Sequence, residues 1–194
     1  MRDGIIMLDV ALKEWAVVCD LLLEGELALL LRKGGIHERG GVAVFELEHP
    51  RFALFPAWLH QVPNRMKPAY RDRVVRRREE PGEVTLKGVG EATHIWQVPS
   101  REAFDSLDDL HVWSKPQIDM RFNYKPERPL YLVAVRVSRL VEPKVVANRP
   151  TYAGCKSWVP LAAEDAVDDA GAAAVVDDAR YEAMVARVER AMRG

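Results

Sequence analysis

The sequence predicts an α+β protein in which short, mostly antiparallel strands form a partly closed barrel, with one helix before the strands and one after them. At least six segments of strand length, apolar or alternating, follow one another with turn residues between them. Helical periodicity does not alternate strictly with these strands, which argues against a parallel α/β sheet. Closing such a sheet into a barrel removes most of its exposed edges.

The early helix is predicted over Leu8–Leu23, where apolar residues recur every three or four positions. Asp9 would cap its start, and Gly25 would end it in a left-handed conformation. An amphipathic helix at residues 179–194 closes the chain after an acidic, Ala/Asp-rich linker at residues 162–178. Residues 1–161 therefore form the predicted domain.

Strands are predicted wherever an apolar run or an alternating pattern is bounded by turn residues. These segments are Leu27–Leu31, Val42–Glu48, Phe52–Phe55, Leu130–Leu140, Lys144–Asn148, Lys156–Leu161, and Val84–Val98 as two short strands or one bulged strand. Ser100 is a plausible cap for a short helix ending near His111, and Asp119–Pro129 is predicted as a loop.

The formal net charge of −1 gives no general attraction to nucleic acid or to anionic membranes, so such binding needs a local basic patch. The strongest basic cluster is Asn64–Glu80, predicted as a helix after Pro68. Its arginines, Arg71–Arg78, either bind anions or simply keep the surface charged. Cys19 and Cys155 are too few for a disulfide framework, which favours a reduced cytoplasm. Charged residues interrupt the apolar N-terminus, so neither a signal peptide nor a membrane span is predicted.

Three segments resemble the bacterial family called domain of unknown function 1802: LKEWAVVCDLLLEGELALLLRKGGIHE, FALFPAWLHQ, and VRVSRLVEP followed by RPTYAGCKSWVPL. This resemblance covers roughly residues 12–161 and implies a shared fold, without catalytic residues to carry across. Lys13-Glu14-Trp15 and Leu29–Lys33 are more weakly similar to the opening of PUA-like folds, including the ASCH group. That similarity implies a small barrel that binds RNA or a nucleobase, although Glu24-Gly25-Glu26 lacks the lysine of the ASCH pattern.

The first candidate site is the turn that follows the strand Leu27–Leu31. Arg32 and Lys33 could bind a phosphate together with the free N–H groups of Gly34 and Gly35, although a glycine pair also forms ordinary turns. Strand alternation sends the two cations to opposite faces, so one of them is expected to face the site. The open alternative is a buried cation that serves as a structural partner of Glu14 or Glu46.

Other candidates depend on side chains that only folding can bring together. His37, Glu38 and His60 are candidate catalytic residues for acid–base chemistry, with or without a metal. Gln61 is a candidate ligand-binding residue beside His60. Trp113, and Lys156 with Trp158, pair a flat ring with polar neighbours in a way that suits base stacking, although core packing is the commoner role of tryptophan. The five histidines show no spacing typical of a metal site.

These observations favour a cytoplasmic nucleic-acid or nucleotide-binding module whose partner is RNA, DNA or a nucleotide. One alternative is a hydrolase or nuclease that uses His37, Glu38 and His60. Another is a subunit without chemistry that docks on a partner protein through the C-terminal helix. The sequence indicates no membrane contact and identifies no cofactor.

Overall fold

The computed structural model describes residues 7–33, 49–154 and 156–193. Predictions that concern Gly34, Gly35, His37, Glu38, Val42–Glu48 and Cys155 lie outside the described residues. The strands are β1 (Val10–Trp15), β2 (Leu29–Lys33), β3 (Arg51–Ala57), β4 (Glu83–Gln97), β5 (Leu130–Ala147), β6 (Trp158–Pro160) and β7 (Ala173–Ala174). The α-helices are α1 (Ala16–Leu23), α2 (Arg101–Asp105), α3 (Lys115–Asn123) and α4 (Asp178–Arg193).

Within the described residues these strands form one sheet in the order β2-β5-β4-β3-β1-β6, and β7 pairs with β5. The pairing of β1 with β3 is parallel, and the other pairings are antiparallel. Three strands separate β2 from β1 in this order, yet Arg32 on β2 forms an ion pair with Glu14 on β1. The sheet therefore curls until its two sides meet, which confirms the predicted α+β fold with a partly closed barrel.

The N-terminal prediction is partly wrong, because the first half of the predicted helix is strand β1. Val10, Ala11 and Leu12 are all buried, because Val10 and Leu12 pack in one hydrophobic cluster and Ala11 packs in another. Consecutive buried residues satisfy a helical template and a two-sided strand equally well, so tertiary pairing decides between them. Gly25 does adopt the predicted left-handed conformation, with φ of 73°, after α1.

Strand β4 is the one bulged strand that the sequence allowed between residues 84 and 98, with register shifts against β5 at Leu86/Gly88 and at Ala92/His94. A Cβ at Gly88 would clash with Leu23 of α1 and with the carbonyl of Ser138, so only glycine lets α1 lie this close to the sheet. The strands predicted at residues 130–140 and 144–148 are one continuous strand, β5.

Two predicted assignments between the strands are wrong. The segment that begins at Asp119 is helical as far as Asn123, because α3 begins after Ser114 with a proline in its first turn. The basic segment forms only 3₁₀ turns, Pro63–Arg65 and Pro68–Arg73, and residues 74–80 have no regular helix. Four of its last five residues are exposed, so no apolar face stabilises a longer helix.

The C-terminal part of the chain packs on the sheet. Residues 162–178, predicted as a linker, pair with the sheet through β7 and through the bridge between Leu8 and Val167. Helix α4 buries Tyr181, Val185 and Val188 in the same hydrophobic cluster as β1, β2 and α1. None of the helices in the described ranges is both long enough and apolar enough to span a membrane.

Candidate anion-binding site

The site begins with the ion pair that closes the barrel. Glu14 lies at the end of β1 and Arg32 near the end of β2, and their side chains are only 14% and 16% exposed. The Arg32 nitrogen that contacts Glu14, Nη2, is itself buried. Arg32 is therefore the structural partner of Glu14 that the sequence left open.

A second guanidinium, that of Arg121, lies beside this pair. Arg121 is half-buried on α3, and no hydrogen bond or ion pair joins it to any other described residue. Burial lowers the pKa of Arg121; the negative charge of Glu14 opposes this effect, and the positive charges of Arg32 and Arg65 add to it. We call Arg32, Arg65 and Arg121 the arginine cluster, whose three cations are set against the one carboxylate of Glu14.

Helix α3 adds an amide to the cluster. Gln117 precedes Arg121 by four residues, which places both side chains on the same face of the helix. Gln117 is only 5% exposed, and its side chain has no hydrogen-bond partner in the described part of the chain. Buried polar groups in proteins normally have partners, so this amide is available to a ligand or to water.

The start of α3 is tied to the segment that carries Arg65. The Ser114 N–H donates to the Arg65 carbonyl at 2.9 Å, and the Ser114 hydroxyl donates to the Asn64 carbonyl at 3.0 Å. Arg65 itself is exposed. These two bonds place an exposed cation at the rim of the site and half-buried Arg121 deeper in it.

Two tryptophans adjoin residues of this site in the sequence, Trp15 after Glu14 and Trp113 before Ser114. Trp15 follows Glu14 and packs edge-to-face on Trp113, with ring centroids 5.4 Å apart. Trp113, a predicted stacking residue, is 9% exposed and belongs to the core, whereas Trp15 is half-buried. Of the two rings, Trp15 therefore has more surface open to a ligand.

Lys33 follows Arg32 at the end of β2 and contacts α3. Its ammonium donates to the Phe122 carbonyl at 2.8 Å, near the end of α3, where a cation also complements the helix dipole. Burial lowers the pKa of Lys33, with Glu127 opposing and Arg121 reinforcing the shift. Lys33 thus holds the helix that carries Arg121.

The other predicted residues occupy separate places. The Gln61 amide accepts from Val17 N–H at 3.0 Å and donates to the Val75 carbonyl at 2.9 Å, so it ties α1 to the segment after Arg73. His60 is exposed in a turn with φ of 67°. Lys156 donates to the Thr151 carbonyl, and Trp158 packs on His49 and Phe52. None of these contacts involves the arginine cluster.

The basic segment provides less free charge than its composition indicates. Arg73 binds Glu24 and Glu26, Arg71 donates to the Met66 carbonyl, and Arg77 lies over the Trp58 ring. Arg76 and Arg78 are exposed. Among the described residues there is no group of three His, Cys, Asp or Glu side chains that could hold a metal ion.

Sequence reasoning missed Arg65, Gln117 and Arg121 as site residues. A local signal existed for two of them: Ser114 followed by Lys115-Pro116 is a typical helix start, and Gln117 with Arg121 then has helical spacing. Nothing local to Arg65 distinguishes it from the other cations of the basic segment.

The fold and the site together define an α+β barrel protein with a cluster of arginines where the barrel closes. The sequence model of DUF1802, described as a domain of unknown function, matches residues 11–187, and the chain belongs to this family. This confirms the resemblance found in the sequence.

Comparison with curated proteins gives no significant match. Among solved structures, the chain is similar to the crystal structure of a point mutant of ZmASCH from Zymomonas mobilis, with a TM-score of 0.45 and 10% sequence identity. The similarity covers 80% of this chain and 89% of that chain.

Proposed function

We propose that the protein is a nucleic-acid or nucleotide-binding module whose arginine cluster binds phosphate. The observation that carries this proposal is Arg121, a half-buried guanidinium with no ion pair or hydrogen bond in the described part of the chain. A charge that is partly removed from water needs a compensating partner, and an anionic ligand would supply one.

Geometry and charge both favour phosphate over a single carboxylate. Arg32 already binds the carboxylate of Glu14, and the cluster still has two further cations and the Gln117 amide. A phosphate group has several acceptor oxygens, which suits several guanidinium and amide donors at once. Half-buried Trp15, which follows Glu14 in the chain, is the ring we propose for stacking on a base. The cytoplasmic location predicted from the cysteine content is part of this proposal.

The test compares the parent with Arg121→Met in titrations of labelled RNA and DNA pools and of nucleoside triphosphates at low salt. We expect Arg121→Met to bind about 10- to 150-fold more weakly, the loss that corresponds to about 1.5–3 kcal/mol for a charge-assisted hydrogen bond. The logarithm of the binding constant of the parent should fall with the logarithm of the salt concentration, because phosphate contacts release counterions.

Arg190→Met is the matched control, because Arg190 is an exposed arginine on α4 without an ion pair among the described residues. It should bind like the parent. The proposal fails if the parent binds none of these ligands at low salt, or if Arg121→Met binds as tightly as Arg190→Met.

A further inference from the structure

A cavity of about 260 Å³ lies between α1 and the sheet. None of the residues that line it belongs to the arginine cluster. Four residues of α1 line it at helical spacing, beginning with Ala16 and ending with Leu23. Glu83, Thr85 and Lys87 line the opposite wall, as alternate residues on one face of β4. Two regular elements therefore turn their side chains into one space.

The floor of this cavity is apolar. Ala16, Cys19, Leu23, Leu54 and Pro56 contribute to the lining, and the first four of these side chains are buried. Trp58 adds an aromatic wall, and the Arg77 guanidinium lies 5.4 Å from the centroid of its ring. Such a surface accommodates an apolar or aromatic body.

The charged lining residues have both signs. Asp20 and Glu83 are acidic, and Lys87 and Arg77 are basic. No ion pair joins any of these four side chains to another described residue. Burial raises the pKa of Asp20, and Lys87 acts in the opposite direction from beyond ion-pair distance. Opposite charges thus face one cavity without neutralising each other by contact.

We propose that this cavity binds a small zwitterion with an apolar body, the chemistry of a free α-amino acid. The ligand's ammonium group would face Asp20 or Glu83, and its carboxylate would face Lys87 or Arg77. A ligand with only a negative charge would be repelled by the two acidic groups, and a ligand with only a positive charge would be repelled by the two basic groups. The volume restricts the ligand to a small molecule, since it lies just below the usual range for ligand pockets.

This site is separate from the phosphate site of the proposed function, and its ligand has a different dependence on salt. Binding of a neutral zwitterion releases few counterions, so its affinity should change little with salt, unlike phosphate binding.

The experiment is isothermal titration of the full chain with each standard amino acid at millimolar concentration. The best ligand is then compared with its N-acetyl derivative, which lacks the ammonium group, and with its amide, which lacks the carboxylate. We expect at least one amino acid to bind and both derivatives to bind about 10-fold more weakly or worse.

Two variants assign the binding to the cavity. Asp20→Asn keeps the shape of the side chain, and Lys87→Met keeps most of its length; each should weaken binding by about 10-fold or more. Asp72→Asn is the matched control, because Asp72 is exposed and is not part of the cavity lining. The proposal is overturned if no amino acid binds, if both derivatives bind as well as the parent ligand, or if Asp20→Asn binds like Asp72→Asn.

Discussion

The arginine cluster and the basic segment Asn64–Glu80 differ in how their positive charge is disposed. The basic segment is dense in cations along the sequence, but Arg73 is neutralised by Glu24 and Glu26, and Arg76 and Arg78 are exposed to water. Two of the three cations of the arginine cluster, Arg32 and Arg121, are far apart in sequence and meet only in the fold, partly removed from water. How strongly a cation binds an anionic ligand depends on its desolvation and on its existing partners more than on the density of charge along the chain.

The largest effect that separates the two regions is expected from Arg32→Met. This change leaves Glu14, 14% exposed, without its cation, and should lower the free energy of unfolding by about 3–5 kcal/mol. Urea unfolding at neutral pH measures it. The double variant Glu14→Gln with Arg32→Met should recover much of the loss, because the carboxylate that Arg32→Met leaves without its contact cation is also removed. Equal stability of the single variant and the parent would mean that Arg32 is free for a ligand and does not close the barrel.

A smaller effect on stability is expected from His111, a buried side chain that can carry a positive charge and, unlike Arg121, can also lose it. Burial lowers the pKa of His111 to about 4, and Lys67 acts in the same direction while Asp108 opposes it. Below its ordinary pKa of about 6.5 the unfolded chain binds a proton that the folded protein excludes, so stability should fall as the pH drops from about 6.5 to 4. The loss should reach at most about 3.4 kcal/mol, at 1.36 kcal/mol per pKa unit.

His111→Asn tests this account, since an asparagine oxygen can replace Nδ1 as acceptor for the Trp113 N–H at 3.2 Å. Unfolding by urea at a series of pH values should show a shallower loss between pH 6.5 and 4 for the variant. Parallel pH profiles for variant and parent would assign the acid sensitivity to other groups.

Arg121→Met should change stability by about 1 kcal/mol or less, and in the stabilising direction. The variant removes a half-buried cation that has no partner among the described residues and keeps an apolar stem of similar length. Thermal unfolding of parent and variant without ligand measures the change. A marked loss of stability would instead make Arg121 a structural residue, and the two regions would then differ less than we infer.

The smallest effects are expected in the basic segment. Arg73→Met should cost about 0.2–1 kcal/mol, because its ion pairs with Glu24 and Glu26 are partly exposed to solvent. Arg78→Met should stay within about 0.5 kcal/mol of the parent, since Arg78 is exposed. Urea unfolding under the conditions used for Arg32→Met measures both changes in stability. A loss of several kcal/mol in either variant would show that the cations of the basic segment are structural.

Local chemistry made part of the fold predictable. Gly25 ends α1 with a positive φ as predicted, and the Ser100 hydroxyl accepts from the Ala103 N–H at 3.1 Å as a helix cap. The bulged β4 followed from glycines inside an apolar run. Strand β1 was not predicted, because its pairing with β3 and β6 and the burial of both its faces in two hydrophobic clusters depend on distant parts of the chain.

The only residues of the candidate site that the sequence predicted are those that lie at the end of a strand. Arg32 and Lys33 were found for this reason, because both stand at the end of β2. Arg121 was not found, because a single arginine in a polar segment has no sequence pattern, and its burial comes from packing against distant elements. His60 and Gln61 are adjacent in sequence but lie in different environments, one in an exposed turn and one bonded to backbone.

The burial of α4 has a consequence for the order of events during synthesis. Val188, fully buried, shares a hydrophobic cluster with Val10, so residues near both ends of the described chain complete one core. Contacts of such sequence separation form late, because the entropy of closing the long loop opposes them. A nascent chain that has not yet released α4 from the ribosome therefore exposes the apolar surface that Tyr181, Val185 and Val188 later cover, and is most prone to aggregation at that stage.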